Sequence, residues 1–101
     1  MAWTVTVSAR AQKGLHRLPE PVRRALALLM ADLADFGPVR GDWPNYGKLG
    51  FRRHHCHIKK GRPTYVAVWE ESAKGIRLVE VTYVGTHAKA QIGRASCRER
   101  V

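Results

Sequence analysis

Three histidines and one cysteine occupy positions 54–57, within the run HHCHIKK. Two kinds of chemistry use such residues: tetrahedral metal binding, and proton transfer by imidazole. Strand geometry separates them. Successive side chains of an extended chain point to opposite faces. Arg53, His55, His57 and Lys59 are therefore expected on one face, and His54, Cys56, Ile58 and Lys60 on the other. Cys56 and Ile58 are the apolar pair, so their face should pack inward and the His55–His57–Lys59 face should meet solvent. Cys56 then points away from His55 and His57. A zinc site would have to borrow ligands from elsewhere, with His87 the one obvious donor, so no metal or other cofactor is expected.

The solvent-facing set suits a different reaction. Cleaving RNA by transesterification needs a base for the 2′-hydroxyl proton, cations for the charge that builds on phosphorus, and an acid for the departing 5′-oxygen. Histidine titrates near neutrality and serves either proton role. Arginine and lysine hold a phosphate and stabilise its extra charge without a metal. Arg52, Arg53 and Arg62 flank the imidazole pair. A sheet that only binds nucleic acid would carry the same residues, so the composition alone leaves catalysis and binding both open.

The whole chain points to a polyanionic partner. Its 101 residues carry 18 Lys and Arg against 8 Asp and Glu, a formal net charge of +10. The charge is concentrated: Arg40, Lys48, Arg52, Arg53, Lys59, Lys60 and Arg62 stand against one acid, Asp42. Such a patch attracts RNA, DNA or an acidic protein. No apolar run is long enough to span a membrane, and MAWTVTVSAR is too short and polar for a secretion signal, so a cytoplasmic protein is expected. Cys56 and Cys97 form no CxxC pair, which argues against a disulfide framework.

The elements that must position these residues follow from periodicity. In WTVTVS (3–8), Trp3, Val5 and Val7 alternate as in a strand, and Ser8 suits the cap of a short basic helix over 9–18. Gly14 weakens that helix. Pro21 and Glu20 suit the start of a second one. Val22, Leu26, Leu29, Leu33 and Phe36 recur at spacings of four and three, one face of an amphipathic helix that Gly37 and Pro38 should stop. Residues 39–50 lack a period and read as a loop, with Trp43 and Tyr46 expected to pin it to the body. Strands are expected over 53–60, 64–70 and 76–84. The sum is one α+β domain over 1–90, two N-terminal helices on a small antiparallel sheet in the order β-α-α-β-β-β. The stretch 91–101, QIGRASCRERV, has no apolar period and reads as a non-native extension outside the fold.

Over residues 3–90 the chain resembles the RelE/ParE superfamily, the toxins of type II toxin–antitoxin systems. The likeness is carried by WTVTVS, the helical pair with LPEPVRRAL, the GKL element, the hairpin HIKKGRPTYVAVW and the last strand IRLVEVTYVGTH. RelE-like members cleave mRNA, many of them on the ribosome, whereas ParE-like members poison DNA gyrase. The resemblance implies that Lys48, His55, His57 and Lys59 hold phosphate, that Arg62 stabilises the transition state, and that His87, with Tyr83 as a weaker match, takes part in proton transfer. It makes His57 or His55 the base toward the 2′-hydroxyl. Arg52, Arg53 and Lys60 complete the expected RNA-binding surface. It also implies a cognate antitoxin as protein partner. The expectation is a metal-independent endoribonuclease giving a 2′,3′-cyclic phosphate. The alternatives are a gyrase-directed toxin without nuclease activity and a non-catalytic basic RNA- or DNA-binding module.

Overall fold

The structure, a computed structural model, describes residues 2–59, 63–72 and 75–87. Its order is β1 (Thr4–Val7), α1 (Ala9–Leu15), α2 (Glu20–Phe36), β2 (Gly47–Gly50), β3 (Arg53–Lys59), β4 (Tyr65–Glu71) and β5 (Leu78–Thr86). The strands form one five-stranded sheet in the order β1-β5-β4-β3-β2. No described helix is long and apolar enough to cross a membrane. The expected extension 91–101, Lys60 and Arg62 lie outside the described residues.

The α+β architecture agrees with the sequence reading, with two corrections. Gly47–Gly50, expected within a loop, is a strand, and pairs with β3 through Gly47↔His55 and Lys48↔His54. Four residues with two glycines carry no alternation to announce a strand; the pairing partner creates it. The sheet is also mixed, because β1 runs parallel to β5 from Thr4↔Leu78 to Val7↔Val81 while the other pairs are antiparallel. That partner lies more than seventy positions away, and nothing local in WTVTVS encodes it.

Helix α2 packs one face on the sheet. Val22, Leu26, Leu29 and Leu33 are buried together with Cys56, Ile58, Ala67, Trp69, Val79 and Val81, and burying each large aliphatic side chain contributes about 1.5–3 kcal/mol. The apolar face ends one turn earlier than its spacing suggests. Phe36 is 67% exposed, under the Arg40 guanidinium at 5.3 Å, and Ala34 is buried instead. The reason is the arrival of the N-terminal strand: Ala2 and Trp3 donate their backbone N–H groups to Ala34 O, and the small Ala34 side chain admits them. Gly37 ends the helix at φ +96°, and a Cβ there would lie 2.8 Å from the Trp3 indole nitrogen, so both the backbone and the neighbour require glycine.

The segment between α2 and β2 is pinned as expected. Trp43 donates from Nε1 to Asp32 Oδ2 at 2.8 Å, and Tyr46 bonds to His54. Helix α1 begins at Ser8, whose hydroxyl accepts from Ala11 N. It runs through Gly14, where a Cβ would come 3.1 Å from Val84 O. Glycine here lets α1 settle closely on β5.

Candidate active site

Strand β3 divides its side chains between two environments. Cys56 and Ile58 join the core under α2, as the alternation requires. On the opposite, outer face the rows run His57–Val66–Gly85, His55–Val68–Tyr83 and Arg53–Glu70–Glu80 across β3, β4 and β5.

His57 is half-buried on this face, and its ring meets His87 edge to face with centroids 5.5 Å apart. His87 is placed by its backbone N–H, which donates to Thr64 O at 2.8 Å just before β4. His57 is held by its own N–H on Pro44 O, also 2.8 Å. Two imidazoles thirty positions apart are thus fixed by backbone hydrogen bonds at one end of the sheet. Tyr83 leans along β5 over Gly85, where a Cβ would lie 2.6 Å from its hydroxyl oxygen. The absence of a side chain at 85 therefore leaves room for the phenol in the same row as His57. The hydroxyl donates to Thr86 O at 2.9 Å. Burial pushes the Tyr83 phenol up, with smaller opposing effects from the Thr86 side chain and from the Arg10 charge. Tyr83 therefore keeps its proton and is poorly suited to act as a base.

Three expectations need correction. His55 was placed in solvent with His57; it shares the outer face but is 2% exposed. The unforeseen strand β2 covers it. Its Nδ1–H donates to Gly47 O at 2.9 Å, and a Cβ on Gly47 would come 3.1 Å from the ring. Lys48 was grouped with His55 and His57, but its register partner is His54. Directly paired residues share a face, so Lys48 projects on the side opposite to His57. Lys59 is exposed, but a bulge between His57 and Lys59 sets it opposite Tyr65. The bulge interrupts the alternation that would have aligned it with His57.

Of the expected RNA-binding arginines, Arg53 is on the outer face, its Nε 3.8 Å from Glu70 Oε2. Arg52 is at the far end of the sheet, at φ +68°, its guanidinium 5.0 Å from the Phe51 ring. It lines a separate cavity of about 290 Å³ with Glu71 and Arg77. Sequence reasoning missed Arg10. It rises from α1 to lie 5.9 Å above the Tyr83 ring, and its place in the basic helix expected over 9–18 was the available signal.

The inner side of β3 holds a second polar group that the sequence reading did not anticipate. Tyr46 OH and His54 Nδ1 are 2.7 Å apart, and His54 Nε2 is 2.9 Å from Glu71 Oε2. The His54 ring stacks on Trp69 at 5.9 Å. A carboxylate only accepts, so Nε2 carries the proton, Nδ1 accepts, and Tyr46 donates. Burial lowers the His54 pKa, and Glu71 opposes that through its hydrogen bond and its charge. Burial also raises the Tyr46 phenol, followed by the effect of Glu71. Cys56 is fully buried and its thiol is pushed up to about 12 by burial, then by Asp42. It points away from His55 and His57, and among the described residues no three His, Cys, Asp or Glu side chains converge as metal ligands.

By sequence the chain matches no family model and no curated protein. By structure it is similar to E. coli toxin RelE, solved free as a double arginine-to-alanine mutant: TM-score 0.67, 18% identity, 100% of this chain and 99% of that one covered. It is similar to a chain of the archaeal RelE–RelB complex from Pyrococcus horikoshii OT3, with TM-score 0.66, 13% identity and coverage of 89% and 100%. It is also similar to a chain of the E. coli DinJ–YafQ toxin–antitoxin complex, with TM-score 0.55, 17% identity and coverage of 90% and 99%. With two helices on a five-stranded mixed sheet matched along nearly its whole length, the chain has a RelE-like fold.

Proposed function

We propose that this chain is a toxin that cleaves mRNA held on the ribosome, by metal-independent attack of a 2′-hydroxyl on the adjacent phosphodiester. The observation that carries the reading is the His57–His87 pair, two imidazoles in contact on the outer face of the sheet. One accepts the 2′-hydroxyl proton while the 2′-oxygen bonds to phosphorus. The other donates a proton to the 5′-oxygen as the P–O5′ bond breaks. The products are a 2′,3′-cyclic phosphate and a 5′-hydroxyl, with no net change in protons. His57 takes the base role in preference to His55, because Gly47 and the carbonyl of Gly47 cover His55. Arginine cations on the same face stabilise the phosphorane charge.

The RelE-like fold supports this reading, since one similar solved chain is named as a toxin and another belongs to a toxin–antitoxin complex. A cognate antitoxin for this chain is part of the proposal, and its charge should be acidic where it meets the +10 surface. Primer extension on mRNA from a translation extract containing the protein tests the reading. New 5′ ends should appear with the wild-type chain and vanish with His57→Ala and with His87→Ala. Cleavage that survives both substitutions in folded protein would overturn it.

A further inference from the structure

Arg10 and Tyr83 together line two cavities. The smaller, about 120 Å³, also has Arg53, Glu70 and Thr82 in its wall. The larger, about 370 Å³, is walled by Arg10 and Gly14 on α1, by Arg17 in the turn just after it, and by Tyr65, Tyr83 and Gly85 on the sheet. Their electrostatics differ. Glu70 opposes an anion in the smaller one. Among the described residues, the larger has two arginines and no acidic residue in its wall. It also adjoins the histidine pair, because Gly85 lies in the His57–Val66 row and Thr86 precedes His87.

Its shape is built in. Strand β1 ends at Val7 opposite Val81, so from residue 82 onward α1 covers that edge of β5. Gly14 permits the close approach, with Val84 O 3.1 Å from where a Cβ would sit. Arg10 on α1 and Arg17, two residues past the end of that helix, thereby line the same cleft. Both are exposed, and neither has a carboxylate ion pair among the described residues. Tyr83 holds Arg10 there, its ring 5.9 Å below the guanidinium carbon.

Resting on the nuclease reading, we propose that Arg10 and Arg17 form a backbone-phosphate subsite for the nucleotide next to the scissile bond, with Tyr83 as a positioning residue that acts through Arg10. The substrate class is single-stranded RNA laid along the α1–β5 cleft and delivered to His57 and His87. The resemblance-based proton-transfer role of Tyr83 is replaced by one that needs its ring and not its hydroxyl.

The test is equilibrium binding of a short single-stranded 2′-O-methyl RNA, which cannot undergo 2′-hydroxyl attack, measured across salt concentrations. Each lost phosphate contact should flatten the slope of log K against log salt by about 0.7. Arg10→Ala and Arg17→Ala should each show that change, with affinity lower by on the order of 3- to 10-fold at moderate salt. Lys13→Ala, on α1 but outside both cavities, should change affinity less. Tyr83→Phe should bind as wild type. Tyr83→Ala should weaken binding and add nothing once Arg10 is already alanine. Wild-type salt slopes in both arginine variants, or an equal loss in Lys13→Ala, would overturn the subsite. Additive losses from Tyr83→Ala and Arg10→Ala would overturn the positioning role. Because binding is read and not cleavage, RNA that binds as described but is never cut would leave this inference standing and sink only the nuclease reading.

Discussion

Replacing Tyr46 by phenylalanine isolates one hydrogen bond behind the strand that carries His57. The ring remains, so its stacking on His54 at 5.8 Å and on Trp69 at 6.1 Å should be kept. What disappears is the hydroxyl 2.7 Å from His54 Nδ1. The His54 side chain is 0% exposed, so water has poor access to the vacated acceptor. Nε2 is committed to Glu71, and moving its proton to Nδ1 would place a lone pair against that carboxylate. Leaving one buried acceptor without a donor costs about 1–3 kcal/mol. In a domain of this size each kcal/mol moves the melting temperature by roughly 4–8 °C, so a decrease of about 5–20 °C is expected. The assay is thermal unfolding followed by circular dichroism above pH 7.5, where His54 is neutral in both states. A double-mutant cycle with Glu71→Gln should give a coupling of at least about 0.5 kcal/mol, because His54 links the two groups. A melting temperature unchanged by Tyr46→Phe would refute the assignment of tyrosine as donor and Nδ1 as buried acceptor.

Four further outcomes follow from the same geometry. Because burial lowers the His54 pKa in the folded state, the unfolded chain takes up this proton first as pH falls below about 6.5; stability should decline on the acid side, by at most about 1.4 kcal/mol per pH unit for one proton, and urea titrations should show that component missing in His54→Gln. His57→Ala and His87→Ala should each slow cleavage by about 10²–10⁴-fold with little change in melting temperature, as single-turnover rates on translating ribosomes would show. His55→Ala should instead lose about 1–3 kcal/mol of stability in denaturant titrations, since its bond to Gly47 O is buried. Cys56, fully buried with its thiol pushed up to about 12, should resist iodoacetamide in the folded protein and react once it is unfolded, as mass spectrometry would detect.

Parts of the fold were legible because their signals are local. Val22, Leu26, Leu29 and Leu33 repeat at the helical period and are buried. Gly37 and Pro38 mark a stop that the structure places at Phe36. Alternation through 53–58 put Cys56 and Ile58 in the core and His57 on the outer face. The same alternation misled at Lys59, because a bulge changes phase without leaving a residue signature. It was silent about burial of His55, which depends on a strand whose sequence, GKLG, is unremarkable by itself.

The sequence by itself determined the α+β class, the long amphipathic helix, the positive charge and the alternation of β3, since each depends on neighbours within a turn or a strand. Only the tertiary structure decided which histidine is accessible, which faces Lys48 and Lys59 take, and that Arg10 meets Tyr83 across seventy-three positions. Those outcomes depend on register and on which element covers which face. Register is set by pairing between strands distant in the chain, and a shift of one residue exchanges the two faces.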